Sequence, residues 1–442
     1  GRVGPWLAFF TAAIWIVHPL QTESVTYICQ RYESLMGLFF LITVYCFIRG
    51  VDSGSRCQRF WCDMSLLFCV LGMGTKEVMA AAPFVILLYD YFFVAGSFAG
   101  AFHLRWRLYA AMFCSVAILA VLIVRTSLEY TIGGGGSIFA GIFSWPYLIT
   151  QSEVIVHYLR LAIMPYSLCL DYSWPPAESL SAVMGSGLLI VGLLVVTVWA
   201  LWRHRIVGFP LACFFLILAP TSSFMPLGDM AFEHRMYLPL AAIVVLFVVG
   251  GYLGVQMAGD FCGMRSNVIR YLAAGMAGII IISFSALTIT RNTCYESGES
   301  MWRDVAEKRP QNVRALGNLA RELLNVGKSK EAESVSRLIL KRLEVRGRPL
   351  NSSYVLEPSL IMHYQSSAHD RLGIALLCAG KTEESILHFA EAVRIRSQDG
   401  YARHNLGLAL FLSGKTNQAL AELGLVQTGD EGRERSQALA AL

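Results

Sequence analysis

The sequence has 442 residues, 55% hydrophobic and only 15% charged, with a mean hydropathy of +0.53. A soluble domain carries about 25% charged residues, so a single water-soluble globule is excluded. The formal net charge of +5 is small and unclustered, which argues against nucleic acid as a partner.

The charges are unevenly spread. Residues 1–290 hold 15 of the 36 Lys and Arg and 13 of the 31 Asp and Glu. Lipid is therefore the expected solvent of 1–290, and water that of 291–442. The chain starts at Gly1 directly before an apolar run, with no cleavage site after it, and reads as a fragment of a longer protein without a signal peptide. A spanning helix needs roughly 20 apolar residues. Nine segments read as spans: 5–20, 35–49, 60–74, 78–97, 107–124, 181–202, 208–225, 236–256 and 269–290. The 11 cysteines, odd in number and irregularly spaced, read as buried thiols rather than a disulfide or metal framework.

Alternate connections between these spans carry ten Lys and Arg on one side and five on the other. The positive-inside rule makes the richer side cytoplasmic and places the tail outside. The five outer cations run against that bias. Arg31 lies between Glu23 and Glu33, Lys76 abuts Glu77, and Arg235 follows Glu233 and His234. Ionisable groups at membrane depth are costly and usually functional, which predicts an outward-facing polar site. The competing reading is a set of solvated interfacial ion pairs of little worth. Asp90 is the acid that falls inside a span, and it reads as interfacial, near the cytoplasmic end.

The external segment 125–180 is more than a loop. GGGGS at 133–137 reads as a flexible link. Residues 151–168 carry apolar side chains at helical spacing with Glu153, His157 and Arg160 among them, which predicts an amphipathic helix on the membrane surface. DYSWPP at 171–176 closes it with residues suited to the interface.

The tail repeats with a period of 34. Gly373, Gly380 and Ser385 recur as Gly407, Gly414 and Ala419, and Ala320, Gly327 and Ala332 fill the same frame one period and a 19-residue insertion earlier. Small residues at that period are the mark of tetratricopeptide (TPR) helix pairs. Ala320, Ala332, Gly373, Gly407 and Ala419 are the expected helix-crossing positions of about three repeats, preceded by a half-repeat carrying Trp302 and Pro310. Such stacks bind proteins or peptides and do no chemistry. The expected fold is thus all-α: a polytopic membrane bundle over 1–290, then an extracytoplasmic TPR solenoid over 291–442.

Four motifs then occur in order: HPLQTESVTYICQRYESL (18–35), GTKEVMAAAPFVILLYDY (74–91), HYLRLAIMPYSLCLDYSW (157–174) and FEHRMYLPLA (232–241), followed by the repeats. The chain resembles the transmembrane-and-TPR O-mannosyltransferase family and its bacterial relatives, which are similar to the GT-C glycosyltransferases. The resemblance implies transfer of a sugar from a polyprenyl-phosphate carrier to a protein hydroxyl outside the cytoplasm. In a bacterial relative that means an inner-membrane protein with periplasmic repeats. Arg31, Lys76 and Arg235 would hold the donor phosphate. Glu33, Glu77, Glu233 and His234 would orient them. The GT-C pattern puts the catalytic carboxylate in an external loop ahead of Gly1, leaving Glu23 as a supporting residue. Membrane lipid, the lipid-linked sugar and a protein bound by the repeats are the expected partners, with no metal or cofactor. A membrane-anchored TPR scaffold and a transporter of lipid-linked sugars are the alternatives.

Overall fold

The computed structural model describes residues 3–53, 55–130, 144–223, 229–346 and 358–425. The GGGGS stretch and most of the insertion between repeats lie outside these residues. Two compact units form: Gly1–Leu170 with Trp174–Tyr295, and Asp171–Ser173 with Glu296–Leu442. Among the described residues there is no strand.

In the first unit, α1 is Gly4–Val17, α2 Thr22–Thr26, α3 Arg31–Asp52, α4 Ser55–Met73, α5 Ala82–Tyr89, α6 Phe98–Tyr130, α7 Trp145–Ile163, α8 Met184–Arg203, α9 Arg205–Leu218, α10 Pro239–Phe261 and α11 Ser266–Thr293. Six helical segments among the described residues are long and apolar enough to cross a membrane: Ile28–Asp52, Glu77–Ala95, Phe98–Thr126, Met184–Arg203, Pro239–Phe261 and Ser266–Thr293. The protein is an integral membrane protein.

Six of the nine expected spans meet that length and composition. Helices do stand at the other three positions. However, α1 and α9 have 14 residues each, about 21 Å at 1.5 Å per residue, against a core of about 30 Å. The third, α4, has 19 residues and carries Arg56, Arg59 and Asp63 in its first half. The amphipathic helix expected at 151–168 is α7. Its buried residues include Tyr147, Thr150, Gln151, Val154 and Tyr158. The Tyr147 hydroxyl donates to the Thr221 carbonyl at 2.6 Å, and the Gln151 amide to that of Met230 at 3.1 Å. One face of α7 is therefore fastened to Thr221 and Met230.

Asp90 lies near the end of its span, as expected, but is not solvated. It is fully buried at the start of a π-helical turn, Asp90–Ala95. One Arg105 nitrogen donates to both its oxygens, at 2.9 and 3.0 Å, and the Tyr109 hydroxyl donates at 2.6 Å. The sequence shows a lone acid in an apolar run, whereas the fold brings it a cation from the next helix.

In the second unit, α12 is Gly298–Lys308, α13 Val313–Asn325, α14 Ser329–Arg346, α15 Pro358–Cys378, α16 Thr382–Ile395, α17 Gly400–Leu412 and α18 Thr416–Gly424. Gly327, Gly380 and Gly414 adopt φ of +78°, +76° and +82° just past α13, α15 and α17, the left-handed stop that glycine supplies without strain. Ala320, Ala332 and Ala419 are buried. Asp171 belongs with this unit, accepting from Arg314 at 2.6 Å. Tyr172 is buried there too, so these two residues of DYSWPP are packed in protein.

The helix crossings are close. A Cβ on Gly407 would stand 2.6 Å from Leu423, and one on Gly373 2.6 Å from Phe389. Gly407→Trp is expected to push α17 and α18 apart in the cluster of Phe389, Leu406, Leu410 and Ala419. Overpacking of this kind costs about 1–3 kcal/mol or more. Protease cleavage within α17 and α18 should accelerate in Gly407→Trp, with α13 and α14 unaffected. Equal cleavage in wild type and variant would remove the crossing as drawn.

Candidate functional site

Three spans begin at one cavity of the first unit. The cavity measures about 390 Å³ and is lined by Gln30 and Tyr32 at the start of Ile28–Asp52, by Thr75, Lys76 and Glu77 at the start of Glu77–Ala95, and by Asp229, Phe232, His234 and Arg235 ahead of α10. The last span ends on the same face, where the Thr26 hydroxyl donates to Asn292 at 2.8 Å.

The first motif builds the floor. His18 caps the turn Pro19–Gln21 through Nδ1, which accepts from Leu20 N–H at 3.2 Å, while its Nε2 lies 3.2 Å from the Ala162 carbonyl. Gln21 donates to the Tyr237 carbonyl at 3.4 Å, as does Trp15 at 2.9 Å. The fourth motif is clamped from the other side, where the Tyr158 hydroxyl donates to the Phe232 carbonyl at 2.8 Å and accepts from Phe232 N–H at 2.9 Å. These contacts present Glu23 and His234 to each other.

Glu23 is fully buried. It accepts from His234 N–H at 3.0 Å, and its other oxygen lies 2.6 Å from His234 Nδ1. Burial pushes the Glu23 carboxyl up to about 8 and lowers the His234 imidazole to about 3. Between those limits the pair holds one shared proton and no net charge. His234 Nε2 points the other way, 3.8 Å from a Glu33 oxygen, and the ring lines the cavity.

The cations are placed differently from one another. Lys76 pairs with Glu33, not with its neighbour Glu77, and its amine lies 4.9 Å from the centre of the Tyr32 ring. Arg235 donates to the Tyr147 hydroxyl at 3.1 Å and to the carbonyls of Thr221, Met230 and Asp229 at 3.3, 2.9 and 2.6 Å. Each of these acceptors is a neutral oxygen, so none cancels the guanidinium charge. Lys76 and Arg235 line the cavity together, whereas Arg31 is exposed at the start of α3 and is not part of the lining. The three-cation cluster expected from the sequence is therefore two cations.

The expected carboxylate roles change accordingly. Residues two apart on a helix do not face each other. Glu33 accordingly turns inward to Lys76 while Arg31 faces out. Glu233 is buried and accepts from Cys169 N–H at 2.5 Å, fixing the third motif. Glu77 lines the cavity. Asp229 is a lining carboxylate that the sequence reading missed. Its signal was its position six residues ahead of Arg235, in a connection read only as a loop. Among the described residues no group of three or more His, Cys, Asp or Glu is placed to hold a metal. A second, apolar cavity of about 770 Å³ lies among α1, α10 and α11, with Trp6, Phe10, Phe247 and Phe284 in its wall and Arg270 and His18 among its polar groups.

No family model matches the chain. It is 23% identical over 389 residues to "Protein O-mannosyl-transferase TMTC1" of Homo sapiens, covering 78% of this chain and 43% of that protein. It is 24% identical over 450 residues to the Mus musculus protein of that name, covering 78% and 47%. It is 24% identical over 365 residues to "Protein O-mannosyl-transferase TMTC4" of Mus musculus, covering 74% and 48%. These distant relatives are of the family that the four motifs resemble. The chain spans about half the length of the curated relatives it matches.

Proposed function

We propose that this protein transfers a sugar from a polyprenyl-phosphate carrier to a protein hydroxyl on the extracytoplasmic face, with the TPR helices holding the acceptor protein. The observation that carries this reading is Arg235, a buried guanidinium whose hydrogen-bond acceptors among the described residues are neutral oxygens, beside Lys76 at one cavity. An uncancelled cation in a dry site attracts an anion strongly. Lys76 and Arg235 hold the phosphate and stabilise the charge that builds on it as the glycosidic bond breaks. Glu77 and Asp229 line the same cavity and supply a carboxylate to receive the acceptor's proton. The apolar cavity among α1, α10 and α11 suits the hydrocarbon of the carrier. The name shared by the relatives supports a protein acceptor.

The test is direct. The 442-residue chain in nanodiscs, given radiolabelled polyprenyl-phosphate mannose and a Ser/Thr-containing peptide, is expected to label the peptide. Failure to label it, together with failure to bind farnesyl phosphate, would leave the scaffold reading in place. Orientation is tested separately. Cys378 is exposed, and in intact cells it is expected to react with a membrane-impermeant maleimide added outside. Protection until the membrane is opened would reverse the topology.

A further inference from the structure

We infer that the Glu23–His234 pair is the proton donor of this site: His234 Nε2–H delivers a proton to the departing lipid phosphate, and Glu23 replaces it through Nδ1. The inference rests on the phosphate-site reading above and adds a step to it.

The geometry is that of a ring held at one nitrogen and open at the other. Glu23 grips His234 twice, through the backbone N–H at 3.0 Å and through Nδ1 at 2.6 Å. Phe232 stacks on the ring with centroids 4.9 Å apart, which fixes its plane. Nε2 is left toward the cavity that Lys76 and Arg235 line. Its neighbour there, Glu33 at 3.8 Å, is beyond hydrogen-bond range and already pairs with Lys76. A phosphate oxygen drawn between the two cations is the acceptor that this N–H lacks.

The step balances. The bond from the sugar carbon to the phosphate oxygen breaks, its electron pair staying on that oxygen. The acceptor oxygen forms the new bond, and its proton goes to a cavity carboxylate. The phosphate takes the proton of Nε2 as Nδ1 takes the proton of Glu23. The pair is left as a carboxylate facing Nδ1–H. It is reset when the carboxylate's proton returns through water, so net one proton has moved from acceptor to phosphate.

The charges around the pair decide the direction. Lys76 and Arg235 face the ring and disfavour a full imidazolium, while Glu33 and Glu77 act oppositely and more weakly than burial. Arg291, from α11, and Lys76 act on Glu23, but burial outweighs both and keeps it protonated up to about 8. At neutral pH the resting form is thus protonated Glu23 with a neutral ring, a donor rather than a base. Donation needs the proton-loaded pair, so the rate holds below about 8 and falls above it.

The experiment is the pH profile of kcat for the full chain in nanodiscs, with farnesyl phosphate binding measured alongside. Wild type is expected to show an alkaline limb near 8. Glu23→Gln keeps a hydrogen bond to the ring but has no proton to pass, so its limb should move below about 6.5, the range of a free imidazole. His234→Gln should lose about 10²- to 10⁴-fold in kcat, while farnesyl phosphate affinity changes less than about tenfold. As a readout without a folding risk, the ¹⁵N-histidine signal of the wild type that disappears in His234→Gln should titrate near 8. A wild-type profile in Glu23→Gln, an undiminished kcat in His234→Gln, or a His234 ring silent between pH 6.5 and 9 would overturn the proton donor and leave the phosphate site standing. Absence of farnesyl phosphate binding in wild type would instead remove the phosphate site, and the donor with it.

Discussion

Lys76→Met is expected to lower sugar transfer by about 10²- to 10³-fold, the cost of removing one preorganised group that stabilises developing charge. Lys76 is the cation whose amine can reach the cavity without giving up a backbone contact. It sits in extended conformation, φ −158° and ψ 149°, just ahead of the turn Glu77–Ala81. The same substitution strands Glu33, which is buried and pairs with this amine. Breaking a buried pair from one side costs about 3–5 kcal/mol, so loss of activity alone would be ambiguous. The double variant Lys76→Met with Glu33→Gln separates the two effects. It removes the stranded charge and should regain thermal stability in detergent while transfer stays low. Recovery of transfer in the double variant would mean that Lys76 serves only to neutralise Glu33.

The second large effect is expected at the opposite end of the span that begins at Glu77. Asp90→Ala is expected to destabilise the first unit by about 3–5 kcal/mol, because it leaves Arg105 buried without its carboxylate. The Arg105 side chain is nearly as buried as that of Asp90, and Tyr109 loses its acceptor as well. Replacing both charges, in Asp90→Leu with Arg105→Leu, should cost far less than either single change. The measurement is the midpoint of heat-induced loss of the monodisperse peak in size-exclusion chromatography. A single variant as stable as wild type would show that water reaches this pair. Because the pair lies at the far end of the span from Lys76, surviving protein should still bind farnesyl phosphate.

The sequence by itself determined the features that depend on local composition and period. The change of charge density near residue 290 is read from composition alone, and one boundary between the two compact units falls at Tyr295. The repeat frame could be read because each small residue answers to a crossing inside its own helix pair, as Gly373 does to Phe389 and Gly407 to Leu423. The ends of the spans marked where a polar site could form. The length of each span was less legible, since hydropathy alone does not show where a helix such as the 14-residue α1 stops.

Only the tertiary structure decided the pairings. Adjacent charges in sequence suggested Arg31 with Glu33 and Arg235 with Glu233. Instead, Glu33 reaches Lys76 across 43 positions and Glu23 reaches His234 across 211. Residues one or two apart leave a helix in divergent directions, so proximity along the chain is a poor guide to proximity across a bundle. Burial was equally invisible beforehand. An acid in an apolar run looks the same at an interface as inside a core, and Asp90 became legible only once Arg105 and Tyr109 were seen to close on it. The protonation of Glu23 follows from the same cause, since desolvation by the packed helices, and no property of the motif itself, keeps that carboxyl neutral.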